Sequence, residues 1–241
     1  MHSGVRNDPR QYDDLAGQWW RPGGDFEILH WLAAARAALV PRASRPGAVL
    51  LDAGCGGGLL APHVQRLGYR HVGVDLRRSA LEQAAARGIT AVIGDVTRLP
   101  LAGGAADVVV AGEILEHVPD LPGTVAELAR VLRPGGLLVL DTLNDTALGR
   151  FITITAAERL RIAPPGLHDP QLYVKPGTLD AEFARHGIKL EVRGIRPTVA
   201  GLLRWLVLRR RTTRRPLGRV VPTFSTAVLY QGRGRKREEH R

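Results

Sequence analysis

From position 47 to 142 the chain alternates short apolar runs with segments whose apolar residues recur every three or four positions. The runs predict strands at 48–52, 70–75, 90–94, 106–111 and 136–142. The spaced segments predict helices at 58–67, 78–87 and 122–132. The stretch Ala106-Asp-Val-Val-Val-Ala111 is apolar and β-branched, as suits a central strand covered on both faces. Leu132-Arg-Pro-Gly-Gly136 reads as a helix stop and a turn into the next strand. Strands alternating with helices place the chain in the α/β class, with a parallel sheet, helices on both faces and right-handed connections.

The flanks follow other patterns. Tyr12, Leu15, Ala16 and Trp19 recur at helical spacing, Arg21-Pro22-Gly23-Gly24 interrupts, and Phe26, Leu29, His30, Leu32 and Ala33 resume. Residues 1–46 therefore read as an N-terminal helical cap. Its tandem tryptophans suit either packing or an apolar lid over a ligand. A main domain over 47–197 and 220–231 follows, carrying an insertion near 145–177. Within 198–219, Leu202, Leu203, Leu206 and Val207 with Trp205 make an apolar surface that runs into arginines. That stretch is either a core helix with a solvated loop or a basic amphipathic insertion lying on an anionic membrane. The last strand is expected at 224–230, and 232–241 as a disordered basic tail.

Composition narrows the partners. The formal net charge is +11, and seven arginines without an acid lie between Arg204 and Arg219. This favours an anionic partner, a membrane surface or a nucleic acid, or reflects an arginine-rich composition. No interleaved aromatics or reader motif supports a nucleic-acid module, so nucleic acid is not the favoured partner. One cysteine, Cys55, allows no internal disulfide and fits a reducing cytosol. The N-terminal segment has no apolar core of the signal-peptide kind. No run reaches the roughly 18 apolar residues of a spanning helix.

The candidate chemistry lies at the strand ends. Val49, Leu50 and Leu51 run into Asp52, and Gly54, Gly56, Gly57 and Gly58 follow. Strand, glycine turn and helix together make the βα unit that holds nucleotide-like ligands. Asp75 closes the second strand, 23 positions after Asp52, where an acid can accept from a ribose diol or merely hold a turn. Asp95 after the third strand can meet an adenine amine or serve as a turn residue. After the fourth strand comes Gly112-Glu113-Ile-Leu-Glu116-His117-Val-Pro-Asp120. If helical, it sets Glu113, Glu116 and His117 on one face, as a divalent-cation site or an acid–base pair.

These motifs together resemble the class I S-adenosylmethionine (SAM)-dependent methyltransferases, which implies a Rossmann-like, mostly parallel seven-stranded sheet. Ala16-Gly-Gln-Trp19-Trp20, the Glu113–Asp120 segment, Thr142-Leu143-Asn144, and Gly166-Leu-His168-Asp169 with Lys175-Pro176 resemble one subfamily, the O-methyltransferases of ubiquinone biosynthesis. The resemblance implies cofactor contacts at Arg36, Gly54, Asp75 and Gly112, and Asp52, Gly56, Leu76, Asp95 and Val96 beside them complete the expected cofactor set. It implies a divalent cation such as Mg2+ on Glu113, Glu116 and His117. His117 could instead be the general base, as the side chain that titrates closest to neutrality, so that His117, Glu116 and His168 are the catalytic candidates, with a structural loop histidine open for His168. The implied acceptor is a hydroxylated aromatic, a polyprenyl hydroxyphenol or a demethylubiquinol. The implied location is the cytoplasm, with peripheral contact at the inner face of the membrane through 199–219. A soluble metabolite as acceptor, or an RNA gripped by the arginines, stays as an alternative; the last would bind with a steep salt dependence.

Overall fold

The computed structural model describes residues 6–208 and 216–238. Two short helices open it, α1 (Gln11–Asp14) and, past a tight turn, α2 (Glu27–Ala37). The alternating core follows as β1 (Val49–Ala53), α3 (Ala61–Val64), β2 (Arg70–Asp75), α4 (Arg78–Ala85), β3 (Thr90–Ile93), β4 (Ala106–Gly112), α5 (Leu121–Val131) and β5 (Leu132–Leu143). The insertion holds α6 (Ala147–Arg150), a wide π-type turn over Phe151–Ala156, and α7 (Ala157–Arg159). Then come α8 (Pro176–Arg185), β6 (Glu191–Pro197), α9 (Val199–Leu208), β7 (Val220–Thr223) and β8 (Leu229–Arg235).

The sheet order is β3-β2-β1-β4-β5-β8-β6-β7. β1, β2, β3, β4 and β5 pair parallel to their neighbours, whereas β8 is antiparallel to both β5 and β6, and β7 to β6. The chain leaves β1 toward β3, then returns to build the other half from β4. The crevice beyond the carboxyl ends of β1 and β4 is thus the topological switch point, where such sheets bind ligands.

Alternation along the central strands makes two cores. Leu51, Val109, Leu138 and Leu140 face one side with Leu128 of α5 and Phe183 of α8. Leu50, Val108, Val110 and Val139 face the other with Ala37 of α2, Leu60 and Val64. Each side chain of such a strand alternates faces, so an unbroken apolar run serves both layers.

Four expectations change. The sheet has eight strands rather than seven, because the chain returns from α9 to pair β7 on the outer edge of β6. Residues 232–235 are not a tail: they belong to β8, which fills the gap between β5 and β6. There Gly232 and Gly234 let the strand lie close to Leu140 and Ile188, while Arg233 turns outward to Glu191. Trp205 is not on an exposed face of α9; it is buried with Trp31 and Leu217, its indole donating to the Gly23 carbonyl at 3.2 Å. The apolar row that α9 does expose is Val199, Leu203 and Val207. Most of the arginine cluster, at 209–215, lies outside the described residues. The fourth change concerns Glu113 and belongs to the site.

Candidate active site

At the switch point lies a cavity of about 870 Å3. That is near the upper end of the roughly 300–1,000 Å3 of ligand pockets. The glycine turn forms one wall. Gly54 and Gly56 take φ of 71° and 50°, which a side chain disfavours, and Gly54 N and Cys55 N donate to the Val74 carbonyl. A Cβ at Gly54 would lie 2.7 Å from Ile114, and one at Gly56 or Gly57 would strike the Trp19 ring. The turn is thus roofed by the cap. Trp19 packs tilted against Phe26 at 4.4 Å between ring centroids, and the Trp20 indole donates to the Gly57 carbonyl at 2.9 Å.

Asp75 at the end of β2 organises this wall. Its Oδ2 accepts from Gly56 N at 2.8 Å and its Oδ1 from Arg77 N at 2.9 Å. Each carboxylate oxygen has a further lone pair to offer. Burial raises the Asp75 pKa, and the backbone donors only partly oppose this. Asp95 accepts from Thr97 N at 2.8 Å, a local turn, and still lines the cavity.

Gly112, at the end of β4, faces Asp141 across the β4–β5 ladder. Arg36 reaches over Gly112 from α2 to pair with Asp141, and both are buried. The Arg36 Nε and the Asp141 Oδ2 have no partner among the described residues. Glu113 has φ 52°, so the chain leaves β4 by a left-handed step, and only Leu115–His117 forms a 3-10 turn. The expected helical face is therefore absent. Glu113 is carried toward Asp141 and Arg36; burial first, then Glu116 and Asp141, push its pKa well up. Asp141 is likewise raised by burial against the pull of Arg36.

Glu116, His117 and His168 do come together: one ligand atom of each lies within 4.8 Å of the others. The insertion supplies His168, stacked on His117 with ring centroids 5.2 Å apart. Glu116 is fully buried behind the cavity wall; its Oε2 accepts from Thr142 Oγ1 at 2.7 Å, and its Oε1 is unpartnered. Burial pushes its pKa up to about 7. Burial pulls His117 down to about 3, with His168 adding to it, and His168 down to about 4, with Arg6 adding to it. Both imidazoles are neutral at pH 7.

Residues 51–140 match the family described as a methyltransferase domain. The ubiquinone biosynthesis O-methyltransferase of Hahella chejuensis is 35% identical over 196 residues, covering 77% of this chain and 82% of that protein. The corresponding protein of Nitrosococcus oceani is 33% identical over 194 residues, with the same two shares. The chain belongs to the ubiquinone biosynthesis O-methyltransferase family. It is a SAM-dependent methyltransferase. Two solved structures share its fold: a SAM-dependent methyltransferase from Thermotoga maritima (TM-score 0.60, 17% identity, 88% of this chain and 93% of that one), and one from Mesorhizobium loti (0.57, 20%, 84% and 96%).

All nine expected cofactor residues of this methyltransferase, Arg36, Asp52, Gly54, Gly56, Asp75, Leu76, Asp95, Val96 and Gly112, line the one cavity. Glu113, His117 and His168 line it too. Glu113 stands outside the cluster of Glu116, His117 and His168, because the left-handed step turns it to the cofactor wall. Sequence reasoning missed Asn7, Tyr12 and Asp141. Asp141 had a signal: an acid inside an apolar strand asks for a buried partner. Asn7 and Tyr12 had none, since they reach His117 across more than 100 positions.

Proposed function

We propose that the enzyme methylates a phenolic hydroxyl of an aromatic that carries an isoprenoid chain, a polyprenyl hydroxyphenol or a demethylubiquinol. One observation carries this reading: a single cavity joins the cofactor wall, the His117–His168 pair and an apolar arm. The arm is walled by Ile152, Ala156, Leu160 and Ile162 of the insertion and by Val199 and Leu202 of α9. A ring at the histidines and a hydrocarbon tail in the arm would fill it.

For SAM, Asp75 would take the ribose, Asp95 and Val96 the adenine, and the Gly54–Gly56 turn the amino-acid end. The unpartnered Nε of Arg36 suits its carboxylate. The phenolate oxygen attacks the sulfonium methyl carbon as the carbon–sulfur bond breaks, and the electron pair stays on sulfur. The products are a methyl ether, S-adenosylhomocysteine and the phenolic proton. The protein's share is alignment and charge placement.

A phenol ionises only near pH ~10 when unperturbed, by analogy with tyrosine. Imidazoles depressed as far as His117 and His168 are weak bases but ready ligands. Glu116 Oε1, His117 and His168 would hold a divalent cation; when bound, such an ion stabilises the phenolate. Two imidazoles and one carboxylate suit Mn2+, Fe2+ or Zn2+ better than Mg2+, which prefers oxygen.

The mouth of the arm supports contact with a lipid surface. Ile152, Leu160 and Val199 both line the arm and are exposed, and Leu148, Phe151, Leu203 and Val207 extend the apolar rim. Exposed Arg159, Arg196 and Arg204 accompany it, the combination that suits an anionic leaflet. No helix among the described residues is long and apolar enough to cross a membrane; the contact we propose is peripheral, at the cytoplasmic face.

The test is methyl transfer from labelled SAM to geranylated catechol and to soluble catechols, after chelation and after metal add-back. The expected result is preference for the geranylated ring, loss on chelation and recovery with Mn2+ or Zn2+. Turnover untouched by chelation removes the cation from this reading; turnover only on soluble acceptors removes the isoprenoid.

A further inference from the structure

The hydrogen bonds around His117 determine which ring nitrogen carries its proton. Asn7 reaches His117 twice: its Nδ2 donates to the His117 carbonyl at 2.9 Å, and its Oδ1 lies 2.6 Å from Nδ1. A backbone carbonyl only accepts, so the amide NH2 must face it and Oδ1 is left for the ring. An amide oxygen also only accepts, so Nδ1 bears the proton. Nε2 keeps its lone pair, with the Tyr12 hydroxyl 3.3 Å away as a donor. Free neutral histidine favours the proton on Nε2, so the protein imposes the opposite tautomer.

Asn7 is itself held in place. It sits at φ 59°, and its N–H donates to the Gly166 carbonyl at 2.8 Å. Next to it, Arg6 pairs with Glu158 and donates through Nε to the His168 carbonyl at 2.7 Å. Two consecutive residues thus tie the turn that carries His117 to the insertion that carries His168.

We propose that Asn7 is a positioning residue for methyl transfer: it locks the His117 imidazole with the proton on Nδ1, so that Nε2 is the atom offered to the reaction. This rests on the reading of His117 as a working residue of the acceptor site. The lock does not depend on whether Nε2 meets a proton or a cation, because either needs that lone pair.

The experiment is nitrogen NMR of protein labelled in its imidazole rings, with His117 assigned by its loss in His117→Gln. The wild type is expected to show the Nδ1–H tautomer. Asn7→Leu is expected to convert it to Nε2–H, and Asn7→Asp, whose carboxylate still accepts from Nδ1 although it gives up the bond to the His117 carbonyl, to retain it. On geranylated catechol, kcat of Asn7→Leu should fall about 10–100-fold, as for other partners that orient a working histidine. KM for SAM should hold, and Asn7→Asp should restore most of the rate. An Nε2–H wild type, or an unchanged tautomer in Asn7→Leu, overturns the lock. A converted tautomer with wild-type kcat overturns the positioning role. If the wild type methylates no catechol, the acceptor reading has failed, and the spectra still decide the lock.

Discussion

Gly112→Ala probes how tightly the cofactor wall is built. A Cβ at Gly112 would overlap the Arg36 guanidinium. The end of a long side chain normally yields at little cost, but here Arg36 is 7% exposed and its partner Asp141 0%. The guanidinium cannot move aside without leaving Asp141. Separating a buried pair costs about 3–5 kcal/mol, because each charge is left without its partner in a dry site. For a chain of this length that is roughly a 6–20 °C fall in Tm, at ~2–4 °C per kcal/mol. SAM affinity should also fall about 10–150-fold, the loss of one hydrogen bond between charged groups. Urea denaturation and calorimetric titration with SAM measure the two effects. The double variant Gly112→Ala/Arg36→Ala gives the decisive comparison. With no guanidinium to displace, the added methyl should cost far less, so the double should be more stable than the sum of the singles by up to about 3 kcal/mol. Wild-type stability in Gly112→Ala, or strict additivity in the cycle, would refute the reasoning.

Three further outcomes are expected. Asp75→Asn turns an NH2 toward one of the two backbone donors it now accepts from; SAM should bind at least about tenfold more weakly, and an unchanged Kd in calorimetry would remove Asp75 from the cofactor site. Glu116 is raised to about 7, so its neutral form favours the folded state; that contribution is full below about pH 4.5 and is lost as pH rises through 7. His117, lowered to about 3, acts oppositely, losing stability as pH falls from about 6.5 toward 3. Urea midpoints of wild type and Glu116→Gln should therefore diverge between pH 5 and 7.5, the wild type losing up to about 3 kcal/mol more; parallel curves would show that Glu116 titrates normally. Leu203→Asp with Val207→Asp should abolish flotation with anionic liposomes and leave turnover on a soluble catechol unchanged; flotation equal to wild type would exclude this row from lipid contact.

The sequence made the left half of the sheet legible, because β1, β4 and β5 are apolar runs and each ends in a recognisable turn. The right half was not. β8 reads Leu-Tyr-Gln-Gly-Arg-Gly-Arg, where two glycines replace the side chains that would show alternation. Its burial comes from close approach to Leu140 and Ile188, a tertiary fact. The expected cofactor residues other than Arg36, which comes from α2, were legible because they lie at or just past strand ends, and strand ends converge at the switch point. The acceptor side was half legible. Glu116 and His117 stood in one short motif, but the left-handed step at Glu113 is a single backbone angle with no sequence period. His168, Tyr12 and Asn7 arrive from distant segments, and only folding brings them together.

The place of β8 also orders the birth of the molecule. β6 and β7 emerge from the ribosome before the strand that joins them to β5. Until residues 229–235 are available, the nascent sheet ends at β5, with a hydrogen-bonding edge open beside its apolar centre. The cofactor wall on β1, β2 and β4 can close during synthesis, whereas β6, β7 and the α9 rim have no seat on the sheet. Completion of the cavity wall that β6 and α9 supply therefore waits for β8.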